Sequence, residues 1–206
     1  FEGFDLDRLK YTDYRVRGEA LNNLTEYKRH AFTESGVSPL AVPGESRHLV
    51  VTDSDEHDED GHIVEDAEMR IKMVDKRLFK KLPLISAEIE PPLLYGSEKP
   101  DIVLVGWGSN YGIMKEAVDI LSRDKNIAML HFSEIFPFPA TDKFNYLKIL
   151  GEAGRSICIE NNATGQFARL VRAETGFEFK HKINKYDGRP FLVEELVAEI
   201  KKKSYP

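Results

Sequence analysis

From Asp101 onward the chain alternates apolar runs of strand length with segments of helix length, and few folds accommodate that order. Ile102-Val-Leu-Val105 has the composition of a strand buried on both faces. Gly106-Trp-Gly-Ser-Asn-Tyr-Gly112 turns it into a helix carrying Ile113, Ala117, Ile120 and Leu121 on its apolar side. Ile127 to Phe132 reads as the next strand, Phe144 to Leu150 as a helix, and Arg155 to Glu160 as a strand. Thr164 to Thr175 reads as a helix closed by Gly176, Phe177 to Ile183 as a strand, and Pro190 opens a last helix through Ile200. Repeated β-α-β order predicts an α/β domain over residues 98–206, with a mainly parallel sheet, helices on both faces and right-handed crossovers.

Residues 1–97 have a different character. Tyr11, Tyr14, Tyr27 and Phe32 are scattered among charges, and Gly36-Val-Ser-Pro39 and Val42-Pro-Gly44 are turn chemistry, so residues 1–47 read as an irregular connecting segment. His48-Leu-Val-Val-Thr52 is a short strand candidate. The acidic run Asp53-Ser-Asp-Glu-His-Asp-Glu-Asp-Gly-His62 follows, and Glu65-Asp66 places negative charge at the start of a helix, where the dipole favours it. That helix is amphipathic, with Ile71, Val74, Leu78 and Leu82 on one side and lysines elsewhere, and Pro83 is expected to end it. Pro91-Pro92 and the stretch from Gly96 to Pro100 read as punctuation before the domain.

A 206-residue chain with 41% hydrophobic and 31% charged residues can bury a sizeable core, and a net charge of -6 argues against a nucleic-acid surface. Cys158 is the only cysteine, which excludes an internal disulfide and leaves no Cys-x-x-Cys pair for zinc or an iron-sulfur cluster. That usage fits a cytoplasmic protein. No apolar stretch approaches the length of a membrane span, so no membrane partner is expected, and the opening Phe1-Glu-Gly-Phe-Asp5 lacks the form of a signal peptide. Beginning with Phe1 instead of Met suggests a piece of something longer.

Four features are candidates for function. Gly106 and Ser109 lie in a glycine-rich turn that suits an anion at a helix start, although tight-turn geometry explains the glycines equally and the spacing is longer than a dinucleotide fingerprint. Glu160, Asn161 and Asn162 end a strand, where open α/β sheets place ligands; with Gln166 they either contact a ligand or partner, or simply cap the next helix. Pro137-Phe-Pro139 makes a stiff apolar edge, suited to core closure and to packing against another domain. The acidic run holds His57 and His62 among Asp55, Glu56, Asp58, Glu59 and Asp60. These are enough ligands for a divalent metal, but their spacing matches neither an EF-hand nor H-E-x-x-H, so no metal site is assigned. His57 reads either as a pH-sensitive group or as an ion-pair centre among the carboxylates.

Two of these stretches carry a resemblance. Glu56-His-Asp-Glu-Asp-Gly-His62 resembles a segment of the alpha subunit of 2-oxoacid:ferredoxin oxidoreductases, and Glu160-Asn-Asn-Ala-Thr-Gly-Gln166 resembles the E-x-N-x-x-G-Q strand-to-helix turn of that subunit's last domain. The likeness is strongest at 48–82 and 156–172, and looser at 101–139 and in Tyr186-Asp-Gly-Arg-Pro-Phe191. It implies a three-layer transketolase C-terminal-like domain over 98–206 and the C-terminal portion of an alpha subunit. It also implies an enzyme that oxidatively decarboxylates 2-oxoacids to acyl-CoA and passes electrons to ferredoxin. Partners implied are the remainder of the alpha subunit and a beta subunit, with ferredoxin and CoA at the level of the complex. Thiamine diphosphate, magnesium and an iron-sulfur cluster are expected in that complex and none in this portion. The family's Tyr-Pro-Ile-Thr-Pro and Arg-Gln-Gly-Pro-Ser-Thr-Gly motifs are absent here, so no catalytic residue is assigned and the isolated chain is expected to be inactive. Its acidic signature leans towards 2-oxoglutarate or broad 2-oxoacid enzymes. The competing readings are a stand-alone module that binds a ligand or partner, and a metal-dependent hydrolase centred on the acidic run.

Overall fold

The computed structural model describes residues 15–204 together with Asp7 and Asp13; Tyr11 and Tyr14 lie outside them. It divides into two compact units, Phe1–Ile85 and Ser86–Pro206.

The second unit is a five-stranded sheet with strands β1 (Leu93–Gly96), β2 (Ile102–Trp107), β3 (Ile127–Phe132), β4 (Arg155–Glu160) and β5 (His181–Asn184), in the order β1-β3-β2-β4-β5. β1 runs antiparallel to β3 and every other pair is parallel. Side chains alternate between the two faces of a strand, and both faces here are covered. Ile102 and Leu104 pack with Met114 and Ala117 of α4 (Tyr111–Leu121) and with Leu196 and Ile200 of α7 (Val193–Ser204). Val103 and Val105 pack with Tyr146 and Leu150 of α5 (Tyr146–Glu152) and with Phe167 and Val171 of α6 (Gln166–Thr175). Each Val, Leu, Ile, Phe or Met side chain so buried contributes roughly 1.5–3 kcal/mol. This is the expected three-layer, mainly parallel α/β arrangement of a transketolase C-terminal-like domain.

The sheet begins ahead of residue 98. β1 has only four residues between Pro91-Pro92 and Gly96, too few to show a period, and its pairing with β3 makes it a strand. The expected strand from Phe177 is confined to β5, because Phe177 and Phe179 instead stack edge to face, 5.1 Å apart, under the α6 side of the sheet.

The first unit holds a short helix α1 (Gly18–Asn22), irregular chain, and a long helical run. Its small core is Leu21, Tyr27 and Ala41, with the Tyr27 hydroxyl donating to the Pro39 carbonyl (3.2 Å) and accepting from the Ala41 amide (3.0 Å). His48–Thr52 is not a strand: it pairs with no strand among the described residues, and the Val51 carbonyl instead lies against Gly61, where any Cβ would collide with it.

The helical run consists of α2 (Ala67–Asp75), a π-helical turn (Lys76–Lys81) and α3 (Leu82–Glu88), so Pro83 does not end it. Pro83 stands in the first turn of α3, where the missing N–H is tolerated after the wider turn. The expected apolar stripe is also not the face turned inward. Met73 and Lys76 are buried, whereas Ile71 is 61% exposed, and Leu78 and Phe79 are exposed as well. The inward positions are Met73, which is apolar throughout, and the stem of Lys76, whose ammonium reaches the His30 carbonyl.

Candidate functional site

In the second unit, the chain leaves β2 for β3 on one side and returns past β2 to β4 on the other. The carboxyl ends of β2 and β4 therefore flank the topological switch point, the place where open α/β sheets form a ligand crevice. A cleft of about 220 Å³ lies there, lined by Trp107, Ser109, Asn110, Asn161, Asn162 and Gln166. A second, of about 550 Å³, shares Ser109, Asn110 and Asn161 and extends to Lys185, Tyr186 and Arg189.

The groups at this crevice divide into committed and uncommitted ones. Glu160 is 1% exposed, and its carboxylate accepts from the amides of Phe167 (2.8 Å) and Ala168 (3.1 Å) and from the Asn162 side-chain amide (2.7 Å). The Asn162 side-chain oxygen accepts from the amides of Thr164 (3.2 Å), Gly165 (2.7 Å) and Gln166 (3.1 Å). Together they satisfy the free N–H groups that open α6, and Gly165 at φ 66° makes the turn possible. Capping thus accounts for Glu160 and Asn162. Ser109, Asn161 and Gln166 remain, with exposed side chains that make no hydrogen bond to the described residues.

The glycine-rich turn has a packing origin. A Cβ on Gly106 would collide with the Met114 sulfur, Gly108 sits at φ 57°, and Gly112 faces open space. His131 fixes the turn through a 2.8 Å contact between its Nε2 and the Gly108 carbonyl. Cys158 lies wholly buried beneath Glu160, with burial pushing its thiol pKa up, so it is no nucleophile. Phe138 joins the core on Phe132 and Tyr146, and the Tyr146 hydroxyl donates to the Pro139 carbonyl (2.5 Å), while Phe136 remains 67% exposed.

In the first unit, the acidic run is a folded loop. Glu56 receives Arg77 through two hydrogen bonds (2.9 and 2.8 Å) and Arg70 through one (3.1 Å), and the Arg77 contact leads in holding its pKa down at about 2. Burial works against charge on Asp58, yet the amides of His62, Gly61 and Asp60, all donating to its Oδ1, keep its pKa below the usual carboxylate range. His57 is not the ion-pair centre; that role is Glu56's. The His57 ring stacks on His30 at 3.6 Å. Among the described residues, no three His, Cys, Asp or Glu gather as metal ligands.

Set against known proteins, the chain matches no family model. It is 33% identical over 200 residues to the alpha subunit of 2-oxoacid:ferredoxin oxidoreductase 1 of Sulfurisphaera tokodaii, covering 95% of this chain and 30% of that one. The corresponding subunit of Saccharolobus solfataricus is 36% identical over 183 residues, covering 87% and 28%. The chain belongs to the family of 2-oxoacid:ferredoxin oxidoreductase alpha subunits. It spans about 30% of the length of the curated relatives it matches. Its fold is similar, with a TM-score of 0.70 and 26% identity over 92% of this chain and 32% of the other, to a 2-oxoglutarate:ferredoxin oxidoreductase from Magnetococcus marinus solved with 2-oxoglutarate, coenzyme A and succinyl-CoA bound.

In this alpha-subunit segment, Ser109, Asn161, Asn162 and Gln166 line one crevice, while Gly106 and Glu160 are buried in the strands behind it and Glu56, His57, Asp58 and His62 belong to the first unit's loop. Sequence reasoning left Tyr186 and Arg189 out of the site. Their signal was Tyr186-Asp-Gly-Arg-Pro-Phe191 directly after β5, which pairs with β4 and carries that loop to the same edge. His30 and Lys76 were also missed, being 46 positions apart and joined only by the fold.

Proposed function

We propose that this chain is the C-terminal portion of an alpha subunit in a cytoplasmic enzyme that converts 2-oxoacids and CoA to acyl-CoA and hands electrons to ferredoxin. The observation carrying this reading is the 33% identity along 95% of the chain to a named alpha subunit. In such an enzyme thiamine diphosphate supplies the carbanion chemistry and an iron-sulfur cluster takes electrons one at a time.

The residues present do not fit those groups. One buried cysteine cannot replace the four thiolates of a cluster. A magnesium-borne diphosphate is usually held through one or two carboxylates, and the carboxylate beside the crevice, Glu160, has its oxygens occupied by the amides of α6. The reactive parts accordingly reside in the remainder of the alpha subunit and in a beta subunit. This portion completes the subunit and presents surfaces: the crevice with Ser109, Asn161 and Gln166, and the exposed apolar side chains Ile71, Leu78 and Phe79 of the helical run.

The test is dye-linked turnover of the purified complex with 2-oxoglutarate and pyruvate side by side. CoA-dependent viologen reduction with a higher kcat/KM for 2-oxoglutarate, and none from the isolated chain, is expected. Reduction by the isolated chain would overturn the assignment of an interface role.

A further inference from the structure

A pocket of about 490 Å³ in the first unit has an unusual charge balance. Arg29, His30, His57, Lys76, Arg77 and Lys81 line it, with Met73 beside them. Lys76 is 7% exposed; among the described residues its ammonium donates to two neutral oxygens, the His30 carbonyl (2.5 Å) and Ser38 Oγ (2.6 Å), and lies 5.7 Å from the centre of the Phe32 ring. Of its three N–H groups, one donates to no oxygen among the described residues. Among the described residues, no carboxylate is ion-paired with Arg29, Lys76 or Lys81; of the pocket's cations, Arg77 alone is matched, by Glu56. The His30 Nε2 is buried and makes no hydrogen bond to the described residues.

Buried polar groups normally have partners, and buried charges normally have counter-charges. Here a buried ammonium and two further cations line one cavity, with His30 among the lining residues. We propose that this pocket is a binding site for a metal-free phosphate-type oxyanion, held by Lys76, Arg29 and Lys81 and completed by His30 as a donor. The lining offers cations and imidazoles instead of carboxylates, which excludes a magnesium-borne ligand and suits a bare dianion.

The electrostatics of the pocket favour an anion. Burial first, then His57, Arg29, Lys76 and Lys81, hold the His30 pKa down at about 4. Burial first, then Lys81, lowers that of Lys76 to about 8, and Glu59 is the carboxylate that opposes this. An arriving dianion reverses both pressures, so binding takes up protons and weakens as pH rises. The inference stands apart from the oxidoreductase reading, since it rests on this pocket alone.

The experiment is equilibrium dialysis of radiolabelled sulfate and phosphate against the purified complex containing the full chain, with its dye-linked activity assayed in parallel. Sulfate stays a dianion throughout, so its affinity reports the protein's groups; it is expected to fall by about tenfold between about pH 6 and about pH 8.5. Lys76→Met is expected to abolish the binding, and Arg29→Gln and Lys81→Gln, at less buried positions, to weaken it by about threefold to tenfold each. Competition by CoA identifies an organic phosphate as the source, and its absence identifies the free anion. Saturable binding that Arg29→Gln and Lys81→Gln leave unchanged, no binding by an active complex, or a carboxylate of another segment in the pocket of the crystallised complex would each overturn the proposal.

Discussion

Glu160 is a buried carboxylate whose oxygens are both occupied by donors, and that occupation decides what it can do. Two backbone amides and one side-chain amide converge on it, and Asn162 takes three more amides beside it. Glu160→Gln would turn an NH₂ towards donors, and is expected to cost about 1–3 kcal/mol in denaturant unfolding. Asn162→Ala removes a cap and is expected to cost about 1 kcal/mol. A loss of turnover with stability unchanged would instead assign Glu160 a chemical role.

Glu56 and His30 set the pH response of the first unit. The Glu56 carboxyl titrates at about 2 in the folded chain against its ordinary 4.5, so the unfolded chain binds more protons between those values and stability falls as pH drops through that window. His30 titrates at about 4 against its ordinary 6.5, so here too the unfolded chain binds more protons and stability falls from pH 6.5 towards 4. Urea midpoints followed with pH are expected to show both losses, with His30→Gln removing the upper and Glu56→Gln reducing the lower, to which Asp58 also contributes. A flat profile between pH 6.5 and 4 would contradict the burial of His30.

At the scale of elements, glycine positions separate turn geometry from close packing. Gly165→Ala has ordinary space for its methyl group but would hold alanine at φ 66°, an expected cost of about 1–2 kcal/mol. Gly106→Ala meets the Met114 sulfur and is expected to cost more, with partial recovery in a double variant that also carries Met114→Ala. Thermal unfolding checks both, and additive effects for the Gly106/Met114 pair would contradict the packing argument.

The same contrast explains what was legible in the sequence. β3 and β4 were readable to the residue, because continuous apolar runs between turns have one good solution. The E-x-N-x-x-G-Q turn was readable too, because capping is local. β1 was not, since four residues beside two prolines become a strand only through β3. Nor was the inward face of the helical run, where Lys76 and not Leu78 is buried; a π-turn changes the period that reading relies on.

For the whole molecule, the uncommitted features are all surfaces: the crevice at the switch point, the apolar side chains of the helical run, and the cation-lined pocket. None presents a nucleophile beside a base, a cluster of thiolates or a gathered metal-ligand set among the described residues. Under the proposed function the chemistry is performed elsewhere in an assembly, and that can be tested on the assembly itself. The most direct test is affinity purification of the native assembly through this chain, with its components identified by mass spectrometry and assayed for CoA- and 2-oxoacid-dependent viologen reduction. The account predicts a cluster-bearing partner and reduction activity in the same fraction. A chain that purifies without such a partner, and without that activity, would contradict it.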